Sequence, residues 1–138
     1  TNHSRHLRVT TSLSDRAAGY LRHYRTQADE DSWAFDEVSN RVTHGPDLQD
    51  AWRVTEALIA AADEDSLGYV GAGPLEDFVR RFGAAHVTTL ETRARQDPKF
   101  RACLGCIWLS YGDLPEEILA RIVKASGGRI KPLGKRQA

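Results

Sequence analysis

The run Leu67-Gly-Tyr-Val-Gly-Ala-Gly-Pro-Leu-Glu-Asp-Phe-Val-Arg-Arg-Phe-Gly-Ala-Ala-His86 holds the densest local signals in the chain. Gly71, Gly73 and Pro74 together predict the end of one helix and the start of the next, with the chain folding back between them. Proline at a first helical position loses nothing, because its N–H would have had no partner there. Glu76 and Asp77 then fall in the first turn, where the helix dipole favours negative charge. Leu75, Phe78, Val79 and Phe82 take the spacing of one buried helical face, and Gly83 reads as its stop. Arg80 and Arg81 sit one turn on, placed for intrahelical ion pairs with Glu76 and Asp77.

On either side, every well-signalled segment has helical period and none alternates as a strand would. Ser12 or Ser14 caps a first helix carrying Ala17, Tyr20, Leu21 and Tyr24. Asp31 or Ser32 opens a second around Trp33, Phe35, Val38 and Val42, ended by Gly45-Pro46. Asp47 begins a third through Trp52, Leu58 and Ile59, the clearest amphipathic pattern in the chain. Asp63 or Asp65 caps a short fourth with Leu67 and Val70. Beyond Gly83, Val87, Leu90 and Ala94 mark a further helix. Asp97-Pro98 starts another through Phe100, Leu104, Ile107 and Trp108, closed by Gly112. Asp113 and Pro115 open the last, with Glu116 completing a variant capping box and Gly127-Gly128 ending it. The expectation is an all-α fold: a single compact domain of seven or eight short helices in helical-hairpin packing. Its expected core is Trp52, Leu58, Leu75, Phe78, Phe82, Leu104, Trp108 and Ile122.

At 138 residues and 41% apolar composition the chain can bury a real core. Its longest nearly apolar run, Cys103 to Leu109, is too short to span a bilayer. The first ten residues contain no apolar stretch of the secretory kind, and two cysteines make no stapling framework, so the expected location is cytoplasmic. Charge is zero overall but uneven, because all nineteen acidic residues lie between Asp15 and Glu117. Arg5 and Arg8, with His3 and His6, make a basic N-terminal tail (1–10), and Arg129, Lys131, Lys135 and Arg136 a basic C-terminal one (129–138). Without those six cations, thirteen basic residues face nineteen acidic ones, a net of −6 for the body.

The run from Trp52 to Pro115 resembles a bacterial family of small domains of unknown function. The likeness rests on Trp52 with Leu58 and Ile59, on the core Tyr69-Val-Gly-Ala-Gly-Pro-Leu-Glu-Asp77, and on Arg95-Gln-Asp-Pro-Lys-Phe-Arg101. Trp108 and Pro115-Glu116 complete it. The resemblance implies a helical fold and a bacterial source, and brings no activity with it.

Few constellations carry chemistry. Cys103-Leu-Gly-Cys106 has no second ligand pair for zinc and does not open a helix, so both thiols read as small core residues. Gly71-x-Gly73 follows no strand, precedes no Lys-Ser/Thr, and has Glu76 and Asp77 where a phosphate would sit. His23 can join Glu30 or Asp31 as an acid–base pair, and only folding brings it near other carboxylates. Glu76, Asp77 and His86 are the residues an enzyme would use as acid and base. Trp33 and Phe35, two apart on a helix, point to different sides, so one is a candidate exposed anchor for a partner. No metal, cofactor or membrane signal stands out. The reading is a non-catalytic protein-binding module, of the adaptor or immunity-protein kind, binding through Trp33 or Phe35. A small helical enzyme using Glu76, Asp77 and His86 is one alternative. Nucleic-acid binding through Arg5, Arg8, Arg129, Lys131, Lys135 and Arg136 is the other.

Overall fold

The computed structural model describes residues 12–26 and 31–136, and all helix statements below concern those residues. The chain divides into two compact units, Thr1–Ala62 and Asp63–Ala138.

The first unit is built from three helical runs. In α1 (Leu13–Thr26) Ser12 acts as the cap, its Oγ accepting the Asp15 N–H at 3.1 Å. α2 (Ser32–Val38) continues without a break into a π-helical turn, Ser39–Thr43. α3 (Leu48–Ala61) starts as the sequence predicts, with the Asp47 carboxylate accepting the N–H groups of Gln49 and Asp50. α1 packs on both α2 and α3, burying Ala17, Tyr20 and Leu21 with Ala34, Val38, Trp52 and Leu58. Arg41 forks onto Asp50 and holds that carboxyl below its ordinary range.

The second unit overturns the helix break expected at Gly71, Gly73 and Pro74. α4 (Glu64–Val70) is capped by Asp63 in a reciprocal box with Ser66. A π-helical turn, Gly71–Leu75, then joins it directly to α5 (Glu76–Gln96), so residues 64–96 form one continuous helical run. Within the turn the Glu76 N–H reaches back five residues to the Gly71 carbonyl. That wider turn takes up Pro74, which has no N–H to give and whose ring would meet the carbonyl four residues back in a regular α-helix. Gly71 has a different task. A Cβ on it would lie 2.5 Å from the Cys103 carbonyl oxygen and 2.8 Å from Cys106 Cβ. Glycine is required there because two backbones touch, and its φ of −63° is ordinary helix.

Gly83 is no stop either. It lies buried in α5, where a Cβ would come 3.4 Å from Ile122 Cδ1. α6 (Pro98–Leu104) begins on Asp97, whose carboxylate accepts from Lys99 and Phe100. It ends at Leu104, well short of the expected stop at Gly112. α7 (Glu116–Ala125) lacks the expected capping box, since Asp113 is engaged elsewhere, and turns off at Gly127 and Gly128 with φ of 74° and 78°. α5 packs against both α6 and α7 around Phe78, Leu90, Phe100, Leu104 and Ile122. Joining 38 to 39 and 70 to 76 without a break leaves six continuous helices where seven or eight are expected. Among the described residues there is no strand, only a single parallel bridge between Ser110 and Leu133.

Candidate functional site

The best-organised surface of the second unit surrounds Trp108. After Leu104 the chain tightens, with Cys106 N–H bonding to the Cys103 carbonyl and Ile107 N–H to the Leu104 carbonyl, and the helix is lost before residue 108. Ile107 and Leu109 turn inward and are buried, while Trp108 between them is 60% exposed. The expected core position of Trp108 is therefore corrected: Gly105 ends the helix whose apolar face it would have joined. Phe82, also expected inside, is half-buried.

The exposed indole stands on a fixed backbone. The Trp108 backbone N–H donates to Glu76 Oε1 at 2.6 Å, and the Trp108 backbone carbonyl accepts from Arg80 Nη2 at 3.0 Å. Glu76 Oε2 meets Arg80 Nη1 at 2.9 Å, the intrahelical pair the sequence predicts. Arg80 Nε also lies 3.4 Å from Asp113 Oδ2, which accepts the Ser110 N–H at 2.8 Å. The three charged side chains thus hold both flanks of the 108–110 segment. The C-terminal tail holds its far edge: Leu133 N–H bonds to the Leu109 carbonyl and Tyr111 N–H to that of Leu133, both at 2.9 Å. Leu133 is itself 48% exposed, opposite Ser110.

The residues an enzyme would use do not converge. Glu76 is buried mid-helix with both carboxylate oxygens committed, one to Trp108 and one to Arg80. Asp77 is half-buried beside it. His86 comes ten residues further along the same helix, a rise of about 15 Å. It is buried edge-on to Phe78 at 5.5 Å, and burial lowers the pKa of its ring.

In the first unit, Phe35 is the exposed member of the aromatic pair, at 41%, and it stacks on Tyr20 with ring centres 5.8 Å apart. Trp33 is half-buried, its ring closing on Gly19. Glu30 lies outside the described residues. Asp31 receives Arg22, while the His23 ring lies 5.8 Å from that of Phe35.

Cys103 is fully buried, and burial, with Cys106 nearby, pushes its thiol up to about 12. Its Sγ donates to the Leu67 carbonyl at 3.6 Å, and Cys106 Sγ to that of Ala102 at 3.4 Å. Among the described residues no three His, Cys, Asp or Glu side chains are grouped to hold a metal ion. Of the basic ends, Arg5 and Arg8, with His3 and His6, lie outside the described residues. Arg136 pairs with Glu116 at 2.9 Å and lies over the Tyr111 ring, and Arg129 packs along Gly105. Lys131 and Lys135 are exposed. Among the described residues no helix is long and apolar enough to cross a membrane.

Residues 22–130 match a family described as a family of unknown function, DUF6869. No curated protein and no solved structure matches the chain.

Proposed function

Since the chain belongs to DUF6869, a family of unknown function, its activity has to be read from its own surface, and we propose that it is a non-catalytic protein-binding module that presents Trp108 to a macromolecular partner. The observation that carries this is the pairing of a 60% exposed indole with a backbone clamped by Glu76 and Arg80. Glu76 is buried, and its carboxylate holds the Trp108 backbone on one side and Arg80 on the other. Fixing the backbone beneath an exposed aromatic lowers part of the ordering cost of a binding anchor, and Trp is among the residues most enriched at interface hot spots. Leu133, 48% exposed, is a second exposed apolar side chain on the tail bridged to Ser110. A bacterial source, drawn from the motif resemblance, and a reducing cytosol, drawn from two free thiols, fit an adaptor or an immunity protein that neutralises a toxin.

The test is affinity capture from source cells followed by reconstitution with the purified partner. Trp108→Ala is expected to weaken that complex by about 2 kcal/mol, roughly thirtyfold, with an unchanged helical spectrum. A complex indifferent to Trp108→Ala but broken by Phe35→Ala would move the interface to the first unit. Turnover of a small molecule that Glu76→Gln or His86→Ala abolishes in a folded protein would overturn the binding-module reading.

A further inference from the structure

α5 ends at Gln96 and α6 begins at Pro98, so the chain turns at Asp97 alone. The turn brings Arg95 and Arg101 to one open groove of about 290 Å³, and α7 adds Arg121 and Lys124. Against these four cations the lining holds one carboxylate, Glu91, leaving a local charge of +3 in a chain whose formal net charge is zero. Glu91 is already taken: Arg121 forks onto it at 2.5 and 3.0 Å and holds its carboxyl below the ordinary range. Arg101 gives one N–H to the Ala94 carbonyl at 3.0 Å, and Arg95 gives one to Thr92 Oγ1 at 3.3 Å. Those bonds aim the guanidinium groups without neutralising them.

Cations at helix C-termini have a structural explanation, and its size can be set against the count. The ends of α5 and α7 at the groove each supply about −0.5 charge, so dipole compensation absorbs about one of the three unmatched cations. About two remain. We propose that this groove binds the phosphate group of a small phosphate ester. A phosphate close to its dianion matches the residual charge, and guanidinium forks match its oxygens in geometry. The volume lies at the lower limit of ligand pockets, which suits a phosphate on a sugar-sized or amino-acid-sized carrier.

Titration calorimetry on the full chain tests this with inorganic phosphate, ribose 5-phosphate and O-phosphoserine, against chloride at matched ionic strength. Phosphate is expected to bind where chloride does not, and one ester to bind about tenfold tighter than phosphate itself. Preference for ribose 5-phosphate marks a metabolite, and preference for O-phosphoserine a protein-borne phosphate; either supports the site. Lys124→Gln, at an exposed position, and Arg101→Lys, which keeps the charge but loses the fork, should each weaken the ester by about tenfold. Equal heats from phosphate and chloride, esters no tighter than phosphate, or binding that survives both substitutions would overturn the assignment.

Discussion

His86 illustrates what burial does to a single titratable ring. Its neutral form is favoured in the folded chain, so its pKa falls below the ordinary 6.5. In the unfolded chain the ring takes up a proton near pH 6.5, while the folded one resists until lower pH. The unfolded state therefore binds more protons in that interval, and stability falls as pH drops below 6.5. Urea denaturation between pH 7.5 and about 5 should show this decline, and His86→Leu should flatten it. Asp50 and Glu91, lowered by Arg41 and Arg121, lose their contribution only further down, below their ordinary 3.8 and 4.5. The two limbs are thus separable. An unchanged slope in the His86 variant would place the ring in water.

The continuous 64–96 helix shows most plainly where local rules meet their limit. Caps were legible: Asp47, Asp63 and Asp97 each hold the N–H groups their sequence positions predict. Gly-x-Gly-Pro predicts a break because breaker rules weigh the backbone alone, and the structure has a π turn there instead. The corrective signal lies in the apolar stripe, which runs Leu67, Val70, Leu75, Phe78, Val79 and Phe82. Its one step of five, from Val70 to Leu75, is the mark of a π turn inside an unbroken helix. Why Gly71 must be glycine was not legible, since its neighbour Cys103 is 32 residues away in sequence and touches only in the folded unit. Trp108 leaves its expected core position for a related reason: its spacing from Leu104 fits a helix, and Gly105 between them ends it. At Gly71→Ala the new Cβ meets a carbonyl oxygen that cannot step aside, and a loss of about 2–4 kcal/mol is expected in thermal or urea unfolding. Gly83→Ala makes a useful contrast. Its Cβ meets only side-chain atoms, at 3.3 to 3.6 Å, and the gain in helix propensity, about 1 kcal/mol, offsets the crowding. If both variants lose equally, the close approach at Gly71 is not what makes glycine necessary.

Over the whole molecule, charge and aromatics are placed very differently from what their totals convey. A formal net charge of zero gives little long-range steering, so recognition rests on local patches such as the clamped 108–110 segment and the α5–α7 groove. The candidate partner surface was legible only as a class, an aromatic left outside. Which aromatic it would be depended on where α6 ended. The three tryptophans are also unevenly placed: Trp52 is buried and Trp33 half-buried in the first unit, while Trp108 stands in the second, 60% exposed. The chain therefore carries its own optical reporter. The long-wavelength, acrylamide-quenchable part of its fluorescence should belong to Trp108, and Trp108→Phe should remove that part while leaving a blue-shifted, poorly quenched remainder. A partner seated on the indole would then announce itself, without any label, as a shift to shorter wavelength and a loss of quenching.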